Sequence, residues 1–533
     1  MFKRTTTAAV LVGSLLCLVG PAQAVICTFK PVDGDFNVAT NWSATPAAGF
    51  SAYISDSKTA RLTGDPLWQP NYLEVGGSTP GYLYMIGGTL TPTYVNVGYA
   101  NSGSIVTLTS GAVFSTRQSG NKNMIGYGAG AQGTLTIDNS TFQAAETQPT
   151  IIGSGGLNGS SSGTVIIRNG GIMNGYTLYL GGSPGYTAGS SAGALTLDAN
   201  ANNRLTMTSN IYVSHGSTGS SSITQDGGVV TAPGVILANL TGTNGAYTIT
   251  GGTLATSAIS MGSGIGTLSV SGGNVNMNNG TIGSLSDFAF SGGVLQNIAT
   301  VAANVNLGAS PVFQQDTGTS GAVTGALSDI SGVAGTLTKT GGGELIVSGS
   351  CSYTGKTTVT AGTLQMALPA YSNLLSHTAD IQGGQMVFDY ANTTTPVADV
   401  RASLHSGAMY TSTGAAAGYV VGYNDDGISK VTAKVALLGD TDLGGIVNND
   451  DLARLLSALG GTDCVWQQGD FNYDAKVNND DLAMLLSNLG KTFAGFGGAK
   501  AQALGGAVPE PSTLVLLTVG LVSLIAYTWR KRK

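Results

Sequence analysis

Short stretches in which apolar and hydroxyl-bearing residues alternate recur along much of the chain. Five of them start with glycine and read GTLTI, GTVII, GALTL, GAYTI and GTLSV, at residues 133–137, 163–167, 193–197, 245–249 and 266–270. Alternation with a period of two places apolar side chains on one side of a β-strand and hydroxyl groups on the other. The pattern therefore predicts many short strands, each with a buried and an exposed side.

The spacing of these stretches predicts how the strands are arranged. The first three start 30 residues apart and the last two start 21 residues apart. Several are followed by a Gly-Gly pair, such as Gly251 and Gly252, which supplies the positive φ angles that a sharp corner needs. Repeats of this length are typical of a solenoid with one coil per repeat.

We therefore predict a mainly β fold, a right-handed parallel β-helix over residues 81–311. Residues 25–80 are expected to form its amino-terminal cap, and residues 312–438 a β-rich continuation. Stacked β-sandwiches are the alternative, but sandwich strands seldom repeat one sequence phrase at a fixed period.

The hydrophobic pattern changes towards the end of the chain. Residues 440–452 read DTDLGGIVNNDDL and residues 470–482 read DFNYDAKVNNDDL, and each copy runs into an apolar stretch with helical spacing, LARLLSALG or LAMLLSNLG. Each copy therefore predicts an oxygen-rich loop followed by a short amphipathic helix.

The spacing of oxygen-bearing residues in these two copies is that of a calcium loop. Such a loop supplies Ca²⁺ ligands from positions 1, 3, 5, 7, 9 and 12. In the first copy these positions are Asp440, Asp442, Gly444, the Ile446 carbonyl, Asn448 and Asp451. In the second copy they are Asp470, Asn472, Asp474, the Lys476 carbonyl, Asn478 and Asp481. The alternative is a pair of acidic surface loops, but duplication of the whole pattern favours calcium.

Each loop departs from the pattern at one position. Gly444 gives the first loop no carboxylate at position 5, so we expect it to bind calcium more weakly than the second. The first loop has Gly445 at the sharp turn, where the second has Ala475. Occupancy of either loop is left open by the sequence.

With Asp at position 12 and two loops in tandem, residues 439–490 resemble a type I dockerin. The resemblance implies that positions 10 and 11 of each loop recognise a cohesin-like protein; here these are Asn449 with Asp450, and Asn479 with Asp480. The segment holds nine aspartates and two basic residues. Because these carboxylates repel one another, we expect the module to be loosely folded until calcium binds.

The amino terminus predicts export. Lys3 and Arg4 precede an apolar run at residues 8–19, and Ala-Gln-Ala follows at 22–24, which is the pattern of a signal peptide over residues 1–24. The three cysteines that remain after its removal are odd in number and far apart, so no disulfide framework is expected, and a single bridge stays open.

The carboxyl terminus predicts a membrane-spanning helix. Residues 513–529 are apolar and residues 530–533 are all basic, which is the order of a short transmembrane helix with its basic end on the inner side. A plain tail anchor is one interpretation of this pattern.

The residues before that helix point to a more specific interpretation. Pro509, Glu510 and Pro511 precede the apolar run, so that residues 508–533, after a linker at 491–507, resemble a PEP-CTERM sorting signal. The resemblance implies recognition by an exosortase and a bacterium that makes extracellular polysaccharide.

Residues 335–365 resemble an autotransporter-associated β-strand repeat. Its landmarks are Leu337, Lys339, Gly341, Tyr353 to Gly355 and Ala361 to Leu364. The resemblance implies a passenger-type β-helix displayed at the cell surface. The segment after it, 401–434, resembles the junction that precedes dockerin-like modules in planctomycete-type secreted proteins.

Candidate catalytic residues are sparse. Asp138 and Asp198 follow equivalent phrases two coils apart, but roughly 10 Å of stack between them is too far for a retaining glycosidase pair and borderline for an inverting one. The histidines, at positions 215, 377 and 405, are isolated in sequence. Charged residues make up only 9% of the chain and the net charge is −6, so no nucleic-acid partner is expected.

Two functions from different classes fit these features. The favoured one is a non-catalytic, exported structural or adhesion protein of the cell surface or extracellular matrix. It would have a calcium-dependent docking module and would contact extracellular polysaccharide. The alternative is a carbohydrate-active β-helix enzyme, a polysaccharide lyase or a glycosidase, tethered through the dockerin-like module.

Overall fold

A computed structural model describes residues 25–493, with short gaps at 48, 101–102, 118–120, 156–158, 183, 186–189, 217, 369, 372–374, 376, 392 and 415–417. The chain winds through parallel strands that stack in register into three ladders, here called the first, second and third faces. A solenoid of parallel strands is therefore confirmed, while its right-handedness stays a prediction.

Most coils contribute one strand to each face. The first face contains Ile26–Thr28, Ser51–Ile54, Tyr72–Val75, Tyr94–Tyr99, Asn123–Tyr127, Thr150–Ser154, Leu178–Leu180, Ile211–Val213, Val235–Leu237, Ala258–Met261, Ser320–Val323, Glu344–Val347, Thr363–Ala367 and Gln385–Asp389. The second face contains Asp33–Asp35, Lys58–Thr63, Gly81–Ile86, Gly103–Thr109, Gln132–Asp138, Ser161–Arg168, Ser191–Leu197, Gly219–Gln225, Thr243–Ile249, Ile265–Val270 and Leu327–Asp329.

The third face contains Thr89–Leu90, Val113–Ser115, Thr141–Gln143, Ile172–Gly175, Arg204–Met207, Val229–Thr231, Thr253–Ala255, Leu337–Thr340, Thr357–Val359, Ala379–Ile381 and Met409–Tyr410. Three longer strands bend around corners and join more than one face: Asn274–Ile282, Asp287–Val301 and Val305–Gln314.

The repeated sequence phrases occupy equivalent places in successive coils. Gly133 pairs with Gly163, Gly163 pairs with Gly193, and Gly245 pairs with Gly266, all on the second face. The 30-residue and 21-residue spacings are therefore coil lengths. The leucine, isoleucine and valine side chains of these strands point inwards and form one continuous core.

The coils begin earlier than the sequence indicated. Residues 25–80, predicted as a cap, already form strands of the first and second faces, although they lack the glycine-led phrase. Their amino-terminal end is filled by an aromatic cluster in which the buried Trp42 ring lies 5.0–5.6 Å from the rings of Phe29, Phe36 and Phe50. A 3₁₀ helix, Ala39–Asn41, leads into this cluster.

The far end of the solenoid is closed by a hairpin, called here the closing hairpin, of strands Tyr419–Asp425 and Lys430–Leu437. Lys430–Leu437 runs antiparallel to Gln385–Asp389, the last parallel strand of the first face. A helix that the sequence pattern did not reveal, α1 (Val397–His405), connects to this region.

Two helices follow the hairpin, α2 (Asn449–Ala458) and α3 (Asn479–Asn488), with a 3₁₀ helix, Trp466–Gln468, between them. No helix in the described part of the chain is long and apolar enough to cross a membrane. The predicted signal peptide, membrane helix and sorting residues Pro509, Glu510 and Pro511 lie outside the described residues. Cys27, Cys351 and Cys464 are buried, and none forms a disulfide within the region described.

Candidate metal centre

The repeated Asn-Asn-Asp-Asp sequence starts both helices in the same way. The Asn448 side chain accepts a hydrogen bond from the Asp450 amide (2.6 Å), and the Asp451 carboxylate accepts one from the Asn448 amide (2.9 Å). Asn478, Asp480 and Asp481 repeat this capping box ahead of α3. Asn448 and Asn478, predicted as calcium ligands, therefore serve as helix caps, and each cap directs an aspartate back towards its loop.

The first loop brings three carboxylates together. One oxygen from each of Asp440, Asp442 and Asp451 lies within 4.8 Å of the other two. Asp440 accepts hydrogen bonds from the amides of Gly444 (2.9 Å) and Gly445 (2.8 Å). Burial raises the pKa of Asp440 to about 6, and the charges of Asp451 and Asp442 add to the rise. This loop therefore concentrates negative charge at one point.

The second loop buries Asp470 and Asp481 in equivalent places. Asp481 accepts from the Phe471 amide (2.9 Å), and Asp470 Oδ2 accepts from the Ala475 amide (3.0 Å). Asp470 Oδ1 is buried and has no hydrogen-bond partner within the described region. Burial raises the pKa of Asp470 to about 6, with smaller contributions from the charges of Asp481 and Asp474. A buried carboxylate oxygen without a donor costs free energy unless the group is protonated or paired with a cation.

The remaining predicted ligands of the second loop are turned towards the backbone. Asn472 accepts from the Asp474 amide (3.0 Å), and Asp474 accepts from the Lys476 amide (2.8 Å). The three acids of this loop do not converge as closely as those of the first, in the residues that the structure describes. The sequence had predicted the opposite, with the more complete set of ligands in the second loop.

These donors suit a hard divalent cation. Calcium prefers carboxylate and carbonyl oxygens, and both loops offer buried carboxylates. In the second loop, one of these carboxylate oxygens, Asp470 Oδ1, has no hydrogen-bond donor among the described residues. Asp440, Asp442 and Asp451 would hold an ion in the first loop, and Asp470 and Asp481, with Asn472 and Asp474 nearby, in the second. When bound, the ion would supply the positive charge that the buried carboxylates lack.

The two loops form a single unit because each is paired with the chain that leaves the opposite helix. After α2, the Gly460 amide donates to Val477 O (2.8 Å), and Thr462 forms an antiparallel β-bridge with Lys476. After α3, the Gly490 amide donates to Val447 O (2.8 Å), and Thr492 forms an antiparallel β-bridge with Ile446. Ile446 and Lys476, predicted to offer carbonyl ligands, thus lie at equivalent points of the two loops.

Left-handed backbone conformations shape both loops. Leu443 and Tyr473 have φ angles of 59° and 64°, and Gly445 and Ala475 have φ angles of 86° and 66°. Only glycine adopts such angles without steric cost. The second loop therefore carries strain at Ala475 that the first avoids with Gly445.

The four residues predicted to recognise a partner are exposed on the first turns of α2 and α3: Asn449, Asp450, Asn479 and Asp480. Leucines further along each helix are exposed as well. Leu456 and Leu486 are 49% and 51% exposed, and Leu459 and Leu489 are 44% and 40% exposed. The duplication thus produces two similar apolar surfaces.

The module packs against the closing hairpin, a contact that the sequence did not reveal. The fully buried Trp466 lies against Gly422, where an added Cβ would come within 2.8 Å of the indole. The Tyr473 hydroxyl donates to Val421 O (2.8 Å), and Arg401 of α1 donates to Cys464 O (2.8 Å). The loops are therefore not an isolated domain in this structure.

The landmarks of the repeat at 335–365 have structural roles. Lys339 is fully buried, and its ammonium group donates to the carbonyl oxygens of Thr340 (2.6 Å), Gly341 (2.8 Å) and Ala361 (3.3 Å). Burial lowers the pKa of Lys339 to about 8. Tyr353 shares a hydrogen bond of 2.6 Å with Thr357. These residues hold neighbouring coils together at a corner.

The acids of the solenoid are engaged separately. Asp138 forms an ion pair with Arg168 (2.8 Å), and Asp198 accepts from Asn203. Asp226 accepts from Thr250 (2.6 Å). The grouping of three carboxylates found in the first loop does not recur among the solenoid residues that the structure describes.

Comparison with known families identifies two segments. The passenger-associated transport repeat matches residues 337–366, and the PEP-CTERM protein-sorting motif matches residues 507–533. Comparisons with curated proteins and with solved structures give no match. Both matched resemblances are thereby confirmed. The sorting motif implies an exported surface protein that is processed by an exosortase, and the transport repeat fits that role.

Proposed function

We propose that this chain is a non-catalytic structural or adhesion protein of the cell surface or extracellular matrix. The β-solenoid is its stalk, and residues 439–490 form a calcium-organised docking module of the dockerin type. The sorting motif at its end supports delivery by the exosortase route. The observation that carries the proposal is the burial of two equivalent pairs of aspartates, Asp440 with Asp451 and Asp470 with Asp481, none of which forms an ion pair in the described part of the chain.

Calcium binding is tested by titration calorimetry on the purified protein after removal of divalent ions. The expected result is two binding events in the wild type. Asp440→Asn should weaken one event at least about tenfold and Asp470→Asn the other, since a ligand charge is lost while the side-chain shape is kept. Asp463→Asn is the matched control, because Asp463 is exposed and lies outside both loops.

Absence of any calcium heat in the wild type would contradict the proposal. So would a double variant, Asp440→Asn with Asp470→Asn, that binds calcium like the wild type. Circular dichroism of each variant shows whether the helices remain folded. The assay therefore separates loss of a ligand from loss of the fold.

The exposed leucines support a docking role for the module. Leu456 with Leu459, and Leu486 with Leu489, present apolar surface at the carboxyl ends of α2 and α3, the helices that begin at Asn449 and Asn479. We propose that a cohesin-like surface protein covers one of these two apolar surfaces. Binding to cell-surface extracts should require calcium and should fall when Leu456→Asp and Leu486→Asp are combined. Either substitution alone should leave binding intact, because the other apolar surface remains.

The distribution of acids supports the non-catalytic interpretation over the enzyme. A lyase or glycosidase needs carboxylates that converge on a substrate, whereas Asp138, Asp198 and Asp226 each have separate local partners. The expected result is no release of sugars from extracellular polysaccharide. Release that is lost on changing a single solenoid acid would replace this proposal with the enzyme.

A further inference from the structure

Three tyrosines from successive coils meet on the outer side of the first face, near the start of the solenoid. The Tyr53 and Tyr72 ring centroids are 5.5 Å apart, and those of Tyr72 and Tyr94 are 4.7 Å apart. Glu74 and Asn96 lie among them, and all five side chains are partly exposed. We call these five residues the tyrosine–carboxylate cluster.

The strand register explains why these residues meet. Tyr72 is paired with Tyr94, and Glu74 is paired with Tyr53 on one side and with Asn96 on the other. Residues paired in a parallel ladder and pointing to the same side stack about 4.8 Å apart. Glu74 therefore lies beside the Tyr53 ring on the neighbouring strand and beside the Tyr72 ring on its own strand.

Hydrogen bonds fix the orientation of the carboxylate. The Tyr72 hydroxyl donates to Glu74 Oε2 and accepts from the Asn96 amide (3.0 Å). Glu74 Oε1 accepts no hydrogen bond in the described part of the chain. The phenol and amide thus hold one oxygen in place and leave the other available.

Glu74 has no ion-pair partner in the part of the chain that the structure describes. Of the basic groups that the structure describes, none lies within 4.0 Å of its carboxylate. Burial raises the pKa of Glu74, with the hydrogen bond from Tyr72 opposing the rise. A half-buried carboxylate of this kind is stabilised when a cation approaches it.

The surrounding rings favour the same kind of ligand. The face of a tyrosine ring attracts a cation that lies within about 6 Å of its centroid, and the attraction strengthens when water is partly excluded. The protein already uses this contact on the second face of the same coils, where the Arg61 guanidinium lies 5.2 Å from the Tyr84 ring. Carboxylate and rings together therefore select positive charge carried on an apolar group.

We propose that the tyrosine–carboxylate cluster binds an alkylammonium group, either a quaternary ammonium ion or the protonated amine of an amino sugar. Glu74 supplies the counter-charge, and Tyr53, Tyr72 and Tyr94 supply the aromatic surface. The proposal goes beyond the function proposed above and is independent of calcium, because the cluster belongs to the first coils and the calcium loops follow the last ones.

The experiment is a calorimetric titration of the purified protein with choline and, in parallel, with dimethylbutanol, its uncharged carbon isostere. Choline should bind and dimethylbutanol should not. Glu74→Gln keeps the shape of the side chain and should weaken choline binding about tenfold, and Tyr94→Leu should weaken it about fivefold. Melting curves of each variant show that the solenoid is intact.

A second aromatic pair on the same face provides the matched control. Tyr179 and Tyr212 are stacked 4.9 Å apart, but the group beside them is His215 and not a carboxylate. Tyr179→Leu should leave choline binding unchanged. Oligomers of glucosamine and of N-acetylglucosamine then distinguish the source of the cation. If the glucosamine oligomer binds and the N-acetylglucosamine oligomer does not, the cation is assigned to a polysaccharide. If choline binds and neither oligomer does, the cation is assigned to a small ligand.

Equal binding of choline and dimethylbutanol would overturn the proposal, as would a Glu74→Gln variant that binds choline like the wild type. Failure of both choline and the amine oligomer to bind would overturn it as well. Repeating the titration in the Asp440→Asn, Asp470→Asn double variant keeps this result separate from the calcium proposal.

Discussion

The indole nitrogen of Trp466 donates a hydrogen bond of 2.7 Å to the carbonyl oxygen of Asp440, the first residue of the first loop. Trp466 precedes the second loop, and its ring stacks on Tyr473 within that loop at a centroid distance of 5.9 Å. The same indole is packed on Gly422 of the closing hairpin. One side chain therefore joins both loops to the end of the solenoid.

Replacing this side chain should weaken the whole module. Trp466→Phe removes the donor to Asp440 and leaves a smaller ring in a fully buried site. We expect the free energy of unfolding to fall by about 1–3 kcal/mol, from an unsatisfied carbonyl and lost packing. Urea denaturation followed by circular dichroism measures the change. Leu456→Ala, at an exposed site, should cost less than about 0.5 kcal/mol; an equal loss in both variants would show that the Trp466 contacts contribute little.

The left-handed residue at position 6 of the second loop predicts a stabilising substitution. Ala475→Gly should raise the free energy of unfolding by up to about 1 kcal/mol, because glycine adopts the φ of 66° without steric cost. Gly445→Ala should lower it by about the same amount, because Phe493, at 3.8 Å, is the only described residue within 4 Å of the added Cβ and backbone strain is the main penalty. Calorimetric melting without calcium tests both. A loss of stability in Ala475→Gly would contradict the argument.

Buried Lys339 predicts a pH dependence. Its pKa is about 8 in the folded protein, whereas an exposed lysine has a pKa of about 10.4. Between these values the unfolded chain binds more protons, so the unfolding free energy should rise with pH, by an amount on the order of 2 kcal/mol. Lys339→Met should remove this rise. The measurement is the difference in unfolding free energy between the two proteins at each pH, because the contributions of other titrating groups cancel in that difference. A difference that does not change with pH would refute the prediction.

The glycine corners predict an asymmetry between two similar substitutions. Gly252 and Gly332 have φ angles of 73° and 79°, so alanine at either position costs about 1 kcal/mol in backbone strain. A Cβ at Gly252 would also lie 2.3 Å from Gly228 O, whereas no atom of the described residues lies within 4 Å of a Cβ at Gly332. Gly252→Ala should therefore cost at least about 2 kcal/mol more than Gly332→Ala, as measured by denaturant unfolding. Similar losses would show that the coils move apart easily.

Much of the solenoid could be predicted because its information is local and periodic. The glycine-led phrases at 133–137 and 163–167 pair with each other in successive coils, so the spacing between them is the coil length. The two copies of the aspartate-rich loop likewise predicted the positions of α2 and α3, since the Asn and Asp residues that end each loop form a capping box. Signals of this kind need no knowledge of the tertiary structure.

The contacts between distant segments could not be predicted in the same way. Tyr473 reaches Val421, 52 residues earlier, and no sequence period connects them. Tyr53, Tyr72 and Tyr94 are unevenly spaced, and only the strand register brings them together. The burial of Lys339 could not be predicted, because a lysine in a strand is normally expected to face solvent.

The reversal of chain direction at Lys430–Leu437 has a consequence for how copies of this protein behave when crowded at a surface. A stack of parallel strands ends in open backbone groups that can recruit another stack and grow into fibrils. On the first face the terminal edge is already satisfied by an antiparallel partner, whose outer strand is in turn covered by the module. At this edge, growth of an amyloid-like stack onto a neighbouring copy of the protein is therefore blocked.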